Sequence, residues 1–219
     1  EIRFCDWSSD VCSSDLLQQN YTIAQPGHDE FYLPSLTLNY DFSDMTLTSV
    51  TSYFGRNQRQ VFDYSTLVPE LLAGTPIVPG FTNYLAEANR ANTQRNVSEE
   101  IRLASNTDGK LEWIVGTFYA RQRQVLDFPL YEPQFSDLVE SLFGAPPEAL
   151  GLTPLPGSID FYTNTRTTEK QLAGFGELTY HLTENLKLTA GLRVSRSELQ
   201  YDRVADGPLN GGRSAVSRF

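Results

Sequence analysis

The stretch LAGFGELTYHLTENLKLTAGLRVS at residues 172–195 decides the fold of this chain. In its last ten residues every second position is apolar, namely Leu186, Leu188, Ala190, Leu192 and Val194. The positions between them are polar or glycine. Alternation with a period of two is typical of a β-strand with one apolar face. The polar residues Thr183-Glu184-Asn185 interrupt the pattern, so the stretch predicts two strands joined by a tight turn.

The same pattern recurs along the rest of the chain. It predicts six long strands in three hairpins: 33–43 with 45–64, 93–106 with 111–130, and 160–182 with 187–204. The turns within the hairpins are short, at 43–44, 106–110 and 183–186. In the second turn Asp108-Gly109 supplies the positive φ that a tight turn needs. The sequence therefore predicts an all-β, antiparallel fold.

The connections between the hairpins are long. They run over 66–92, over 132–158 and from 205 onward. The first carries Pro69, Pro76 and Pro79, which exclude a central strand because proline has no N–H to donate. Short helical pieces are expected at Pro69–Ala73 and Ser136–Leu142. Short and long connections alternate strictly, so all short turns fall at one end of the sheet and all long loops at the other.

Strand length and this asymmetry point to a membrane. Strands of about 20 residues would be ~65 Å long, whereas about 9–11 residues suffice to span a bilayer. The polar runs at 56–60 and 121–124 would then project beyond it, on the side of the long loops. Aromatic residues near the short turns fit an interfacial girdle: Tyr40, Phe42, Trp113 and Tyr180. We expect part of a transmembrane antiparallel β-barrel. A large soluble β-sandwich or propeller explains the alternation but neither the one-sided loops nor the strand length.

Composition agrees with this expectation. Aromatic residues reach 12%, while hydrophobic residues make up 40%, which suits β-surfaces with ring side chains better than a thick aliphatic core. The net charge of -10 argues against a nucleic-acid partner. No run of about 18 apolar residues predicts a membrane helix. The chain begins with Glu1 and is interpreted as an internal fragment, so a missing export signal carries no weight.

Residues 1–16, EIRFCDWSSDVCSSDL, differ from everything that follows and contain both cysteines, Cys5 and Cys12. The stretch resembles translated read-through of a sequencing adapter and is interpreted as non-native. A Cys-x6-Cys disulfide loop or metal site is the alternative, although two thiolates without a nearby His make a poor metal site. Four acidic residues against Arg3 give this stretch a charge of -3, which leaves -7 for residues 17–219.

Signals for catalysis are weak, and we expect no enzyme, cofactor or metal site. His28 and His181 are the only histidines, and no HExxH, CxxC or Gly-x-Ser-x-Gly occurs. Glu99 and Glu100 would put one carboxylate on each face of a strand. Arg56, Arg59, Arg121 and Arg123 lie in the polar strand halves. They could bind an anionic siderophore or phosphate, or could pair with carboxylates on neighbouring strands, so the ligand-binding residues stay unassigned.

Four phrases in series now suggest a family. LTLNYDFSDMTLTSVTSYF (36–54), VSEEIRLAS (97–105), LEWIVGTFYARQ (111–122) and the stretch at 172–195 resemble the barrel of TonB-dependent receptors. The resemblance implies that 17–219 is a fragment of a 22-stranded barrel whose N-terminal plug domain is absent from this chain. It implies that the complete protein lies in the outer membrane of a Gram-negative bacterium. Its partners would be membrane lipid, the plug domain, the TonB energy-coupling system and a scarce ligand, most often a ferric siderophore. A plug-less outer-membrane channel and a soluble, secreted glycan-binding β-domain are the alternatives.

Overall fold

The computed structural model of the chain describes residues 21–106 and 109–218, which form one antiparallel sheet of eight strands. The sequence stretch 1–16 lies outside this range. The strands are β1 (Gly27–Tyr32), β2 (Ser35–Asp41), β3 (Met45–Asp63), β4 (Glu87–Ser105), β5 (Leu111–Tyr131), β6 (Ile159–Thr183), β7 (Leu186–Asp206) and β8 (Ser214–Arg218). Each strand from β3 onward pairs with the next, and β1 and β2 both pair with β3. Within the described ranges the sheet does not close on itself.

Strands β1 and β2 are two halves of one edge strand. Both are antiparallel to β3, and they are separated at Leu33-Pro34. Pro34 cannot donate a backbone hydrogen bond, but its carbonyl accepts one from the N–H of Tyr53 at 3.0 Å. The sequence placed the start of this strand at 33; the structure continues the edge back to Gly27.

Four of the five central strands have about the predicted length, but the predicted start of β4 at 93 is wrong. Residues 87–92, expected in the loop 66–92, extend β4 because they continue its pairing with β3 as far as Asp63. β3 and β4 contain 19 residues each, β5 and β7 contain 21, and β6 contains 25. Their hairpins turn tightly. At the β2–β3 turn the N–H of Phe42 bonds to the carbonyl of Met45 at 2.8 Å, and the β6–β7 turn uses only residues 184–185. Residues 107–108 of the predicted Asp-Gly turn between β4 and β5 lie outside the described ranges.

Two long connections lie at the opposite end of the sheet. Residues 64–86 contain helix α1 (Leu67–Ala73), and residues 132–158 contain helix α2 (Phe135–Phe143). Both predicted helical pieces are therefore confirmed. Each helix ends at a glycine with positive φ, Gly74 at 71° and Gly144 at 70°, a conformation that costs glycine least. Among the described residues, no helix is long and apolar enough to cross a membrane.

The third predicted long loop, from 205 onward, is wrong. Strand β7 continues to Asp206, and the chain reverses within residues 207–213 to form β8 on the loop end of β7. Gly207, Gly211 and Gly212 have φ values of 103°, 69° and 96°. The glycines that suggested an irregular loop thus build a compact turn, because only glycine takes these angles without strain.

Candidate functional site

Cross-strand register sorts the side chains onto two faces of the sheet. Directly opposed residues share a face in an antiparallel pair, so the pairing can be followed from strand to strand. One such row consists of Tyr40, Leu47, Leu103, Val115, Gly176 and Leu192. Every residue in it is apolar or glycine. We call the surface that carries this row the apolar face.

The apolar face extends over several rows at the short-turn end. It includes four of the five residues of the predicted set, Leu188, Ala190, Leu192 and Val194, together with the partners Tyr180 and Leu178. The fifth, Leu186, follows the turn and pairs with Thr183. These side chains are open to their surroundings: Leu192 is 73% exposed and Val194 is 66% exposed. An apolar surface of this extent marks a site covered by lipid or protein. Tyr40, Trp113 and Tyr180 lie on it near the short turns, as the girdle prediction expects.

The opposite surface, which we call the polar face, carries the residues that alternate with those of the apolar face along each strand. One of its rows reads Arg56, Gln94, Gln124, Thr167 and Tyr201 across five strands. Gln124 donates from Nε2 to Oδ1 of Asn92 at 3.0 Å. The row therefore presents hydrogen-bond donors and acceptors across about 20 Å of sheet, since neighbouring strands lie about 4.8 Å apart. Its chemistry suits binding of a polar molecule.

The long connections fold over the loop end of this polar face. We call residues 64–86 and 132–158 the loop layer. Val68, Tyr84 and Leu138 of the loop layer share a buried cluster with Ala88 and Leu130 of the sheet. Ala88 and Leu130 are direct cross-strand partners and lie on the polar face, because each is an even number of residues away from a polar-face residue of its own strand. The loop layer thus packs on an apolar part of the polar face.

Three polar groups lie inside this packing. Glu132 and Asp160 are 1% and 0% exposed, and the hydroxyl of Tyr84 donates a hydrogen bond to Oε2 of Glu132. Within the described residues, Oε1 of Glu132 and both carboxyl oxygens of Asp160 have no hydrogen-bond partner. Burial raises the pKa of Glu132 to about 7, and burial together with the charge of Glu132 raises the pKa of Asp160 to about 8.

The four arginines that the sequence singled out fall on different faces. Arg56 lies on the polar face and pairs with the carboxylate of Asp29 on β1, with Nε 2.8 Å from Oδ1. Arg56 therefore takes the predicted alternative of pairing across strands. Arg59, Arg121 and Arg123 lie on the same side of the sheet as the apolar face, nearer to the long loops than its apolar rows.

The remaining sequence candidates have structural partners. Nε2 of His181 lies 2.6 Å from Oε1 of Glu112, beside the β6–β7 turn. Glu99 has the apolar-face parity and accepts hydrogen bonds from Ser49 and Thr51, while Glu100 lies on the polar face 3.5 Å from Arg102. The described ranges contain no group of three or more His, Cys, Asp or Glu that could hold a metal ion.

Sequence reasoning missed two features. The first is the buried group of Tyr84, Glu132 and Asp160, whose members are up to 76 positions apart in the numbering. The second is Arg193, whose guanidinium lies over the rings of Phe118 and Phe175 on the polar face, 5.4 and 5.6 Å from their centroids. Parity placed Arg193 on the polar side, but only the register brings the two rings beneath it.

Comparison with known proteins agrees with this geometry. The sequence family described as TonB dependent receptor-like, beta-barrel, matches residues 12–219. A search of curated proteins gives no match. The ferric yersiniabactin uptake receptor FyuA from Yersinia pestis superposes with a TM-score of 0.62 at 14% identity, over 91% of this chain and 26% of that chain. This likeness shows the fold.

A second solved structure, the siderophore receptor PiuA from Acinetobacter baumannii, matches with a TM-score of 0.36 at 12% identity. That match covers 82% of this chain and 30% of PiuA. The TM-score is too low to support a structural argument. The chain thus spans between a quarter and a third of the length of these two receptors.

Proposed function

Because the chain belongs to the TonB-dependent receptor-like β-barrel family, we propose that it is part of the wall of an outer-membrane receptor for energy-coupled uptake of a large, scarce nutrient. We propose a ferric siderophore as that nutrient and a Gram-negative bacterium as the source. A plug domain and the TonB system would be the partners of the complete protein. The role is one of binding and transport, without a catalytic step.

The observation that carries this proposal is the sorting of residues by face. Strands of 19–25 residues present an apolar band to one side and hydrogen-bonding side chains to the other. A bilayer covers the first surface and a water-filled or plugged interior covers the second. A soluble domain would leave Leu188, Leu192 and Val194 in water, at 62%, 73% and 66% exposure, which the hydrophobic effect opposes.

The ligand class is supported by the polar face and the loop layer. The row from Arg56 to Tyr201 lies on the loop half of the polar face, three rows below the pair Ala88 and Leu130 on which the loop layer packs. Uncharged amides and hydroxyls, with arginines nearby, suit an oxygen-rich chelate that carries negative charge. FyuA, which shares the fold, is described as a ferric yersiniabactin uptake receptor.

The test is uptake by cells that carry the full-length gene under iron limitation. We expect the protein in the membrane fraction and accumulation of radioactive iron from a ferric siderophore that stops when a proton uncoupler is added. Accumulation that continues with the uncoupler would indicate a passive channel and would contradict the energy-coupled role. Recovery of the protein in the soluble fraction would contradict every barrel function, the channel included.

A further inference from the structure

Four basic side chains lie together on the apolar face, directly beyond its apolar rows. Arg121 on β5 is the cross-strand partner of Lys170 on β6, and Arg123 on β5 is the partner of Arg95 on β4. We call these four residues the basic tetrad. Directly opposed side chains in an antiparallel pair have Cβ atoms about 4.5–5.5 Å apart. The tetrad therefore concentrates four positive charges on three adjacent strands.

Such an arrangement is unfavourable unless an anion balances it, because like charges directly opposite each other destabilise a strand pair. The nearest carboxylates on the same face have other partners. Glu99 accepts hydrogen bonds from Ser49 and Thr51. Glu198 lies opposite Lys170, but its Oε1 is 3.0 Å from Nη2 of Arg196.

A further carboxylate on this face, that of Asp127, accepts hydrogen bonds from Tyr162 at 2.8 Å and Asn164 at 3.1 Å. No ion pair found among the described residues includes a member of the tetrad. The Nε of Arg121 is buried and has no acceptor within the described part of the chain. A donor that is shielded from water and lacks an acceptor is costly, so the site is incomplete without an anion.

The position of the tetrad along the strands indicates which kind of anion it would meet. On β5 the apolar face begins at Leu111 and reaches Tyr119, and Arg121 follows. Ten residues of strand are about 33 Å long, and at a tilt of about 40° they rise about 25 Å, the height of the apolar band in such barrels. The tetrad therefore lies at the membrane interface on the loop side, at the depth of lipid headgroups.

We propose that the basic tetrad binds the phosphate-bearing headgroup of an anionic membrane lipid. Arginine suits this ligand because its planar guanidinium bonds to two phosphate oxygens at once. The acyl chains of the same lipid would lie beside Val97, which is opposite Arg121, and along Tyr119 and Leu172 in the next row toward the short turns. This inference rests on the proposed membrane barrel but is independent of the nutrient that the barrel carries.

The experiment uses the full-length barrel, purified in detergent after its recovery from membranes has been measured. Dioleoylphosphatidylglycerol, dioleoylphosphatidylcholine and inorganic phosphate are titrated separately, and binding is followed by native mass spectrometry. Each basic residue near an anionic surface contributes roughly a fivefold gain in affinity. We therefore expect Arg121→Gln with Arg123→Gln to weaken phosphatidylglycerol binding by roughly thirtyfold.

Two matched variants make the result specific. Lys110→Gln with Lys187→Gln removes the same charge at the short-turn end, where Lys187 lies 4.0 Å from Glu112, and should leave binding unchanged. Arg121→Lys with Arg123→Lys keeps the charge and the fold and should retain most of the affinity. Equal weakening in both Gln pairs would overturn the proposal.

Three further results would overturn the lipid site. They are a wild-type barrel with no preference for phosphatidylglycerol over phosphatidylcholine, a tetrad variant that binds like wild type, and inorganic phosphate that binds as tightly as the lipid. The last result would indicate a site for soluble anions. Failure of the wild-type protein to enter membranes contradicts the proposed function instead, so the two failures are distinguishable.

Discussion

Individual carboxyl groups determine how the loop layer responds to pH. Glu132 and Asp160 are held away from water under the loops, and burial raises the pKa of the first to about 7 and of the second to about 8. Since a buried negative charge is costly, both groups favour their neutral forms in the folded protein. Their ordinary values of 4.5 and 3.8 apply once the loops open.

The loop layer should therefore become less stable as pH rises. A raised pKa in the folded state gives a stabilisation that is complete below the unfolded pKa, near 4, and is lost as pH rises through the folded pKa, near 8. We expect limited proteolysis of residues 64–86 and 132–158 to be faster at pH 8.5 than at pH 5.5 (roughly the upper end and the middle of this window), after correction for the protease's own pH profile.

A double variant provides the control for this prediction. Glu132→Gln with Asp160→Asn keeps the shape of both side chains and removes their titration. Its loop layer should be cut at a rate that no longer depends on pH. A variant with the same pH dependence as the wild type would show that other groups carry the effect.

The alternation of side chains along a strand, with a period of two, explains which single-residue predictions were successful. A period of two is enough to assign Leu192 and Arg193 to opposite faces, and the register confirms both. It is also enough to separate Arg56 from Arg121, although the sequence grouped them by their position in polar strand halves. What parity cannot supply is the partner across the sheet, because Asp29 and Arg56 meet through a strand pairing between distant segments.

Among the secondary-structure elements, the strands and the helices depend on different forces. The strands are fixed by ladders of backbone hydrogen bonds to their neighbours. Helices α1 and α2 contain only seven and nine residues, too few to be stable alone. Their stability comes from side chains packed on the loop end of the polar face, such as Val68 and Leu138.

Truncation of one helix residue should therefore loosen the loop layer. Leu138 of α2 is 0% exposed, and replacing a fully buried leucine by alanine costs about 2–5 kcal/mol. We expect Leu138→Ala to increase hydrogen exchange in residues 64–86 and 132–158, without change in the central strands. Leu71→Ala in α1 is the matched control, because Leu71 is 69% exposed. Similar exchange in the two variants would contradict the packing described for α2.

The elements also show the limit of turn signals. Proline-rich connections identified both long loops and both short helices, although the first loop ends at 86 and not at 92. The glycine-rich segment after Asp206 carries similar composition but forms a tight turn into β8. Glycine permits both a loose loop and a sharp reversal, and the pairing of residues 214–218 with β7 decides between them. Local sequence does not encode that pairing.

At the scale of the whole molecule, the sheet is open and has two edge strands. Within the described ranges, β1 with β2 forms one edge and β7 with β8 forms the other. Backbone groups at an edge cannot stay unpaired in hydrocarbon, where each costs several kcal/mol. The proposed membrane location therefore requires further strands on both sides, in agreement with the 26% of FyuA that the chain covers.

The central claim is that the apolar face meets lipid and the polar face lines the interior. The most direct test is a scan of single cysteines through positions 187–195 of β7 in the membrane-inserted, full-length barrel. Each carries a spin label, whose accessibility to oxygen (lipid-soluble) and to a nickel chelate (water-soluble) is measured. The sequence contains two cysteines, Cys5 and Cys12, and neither lies in β7.

We predict strict alternation with a period of two. Labels at Leu188, Ala190, Leu192 and Val194 should be accessible to oxygen, and labels at Lys187, Thr189, Gly191, Arg193 and Ser195 should be accessible to the nickel chelate or shielded from both reagents. Uniform accessibility to the nickel chelate along β7, or alternation with the opposite phase, would contradict the assignment of the two faces and with it the membrane barrel.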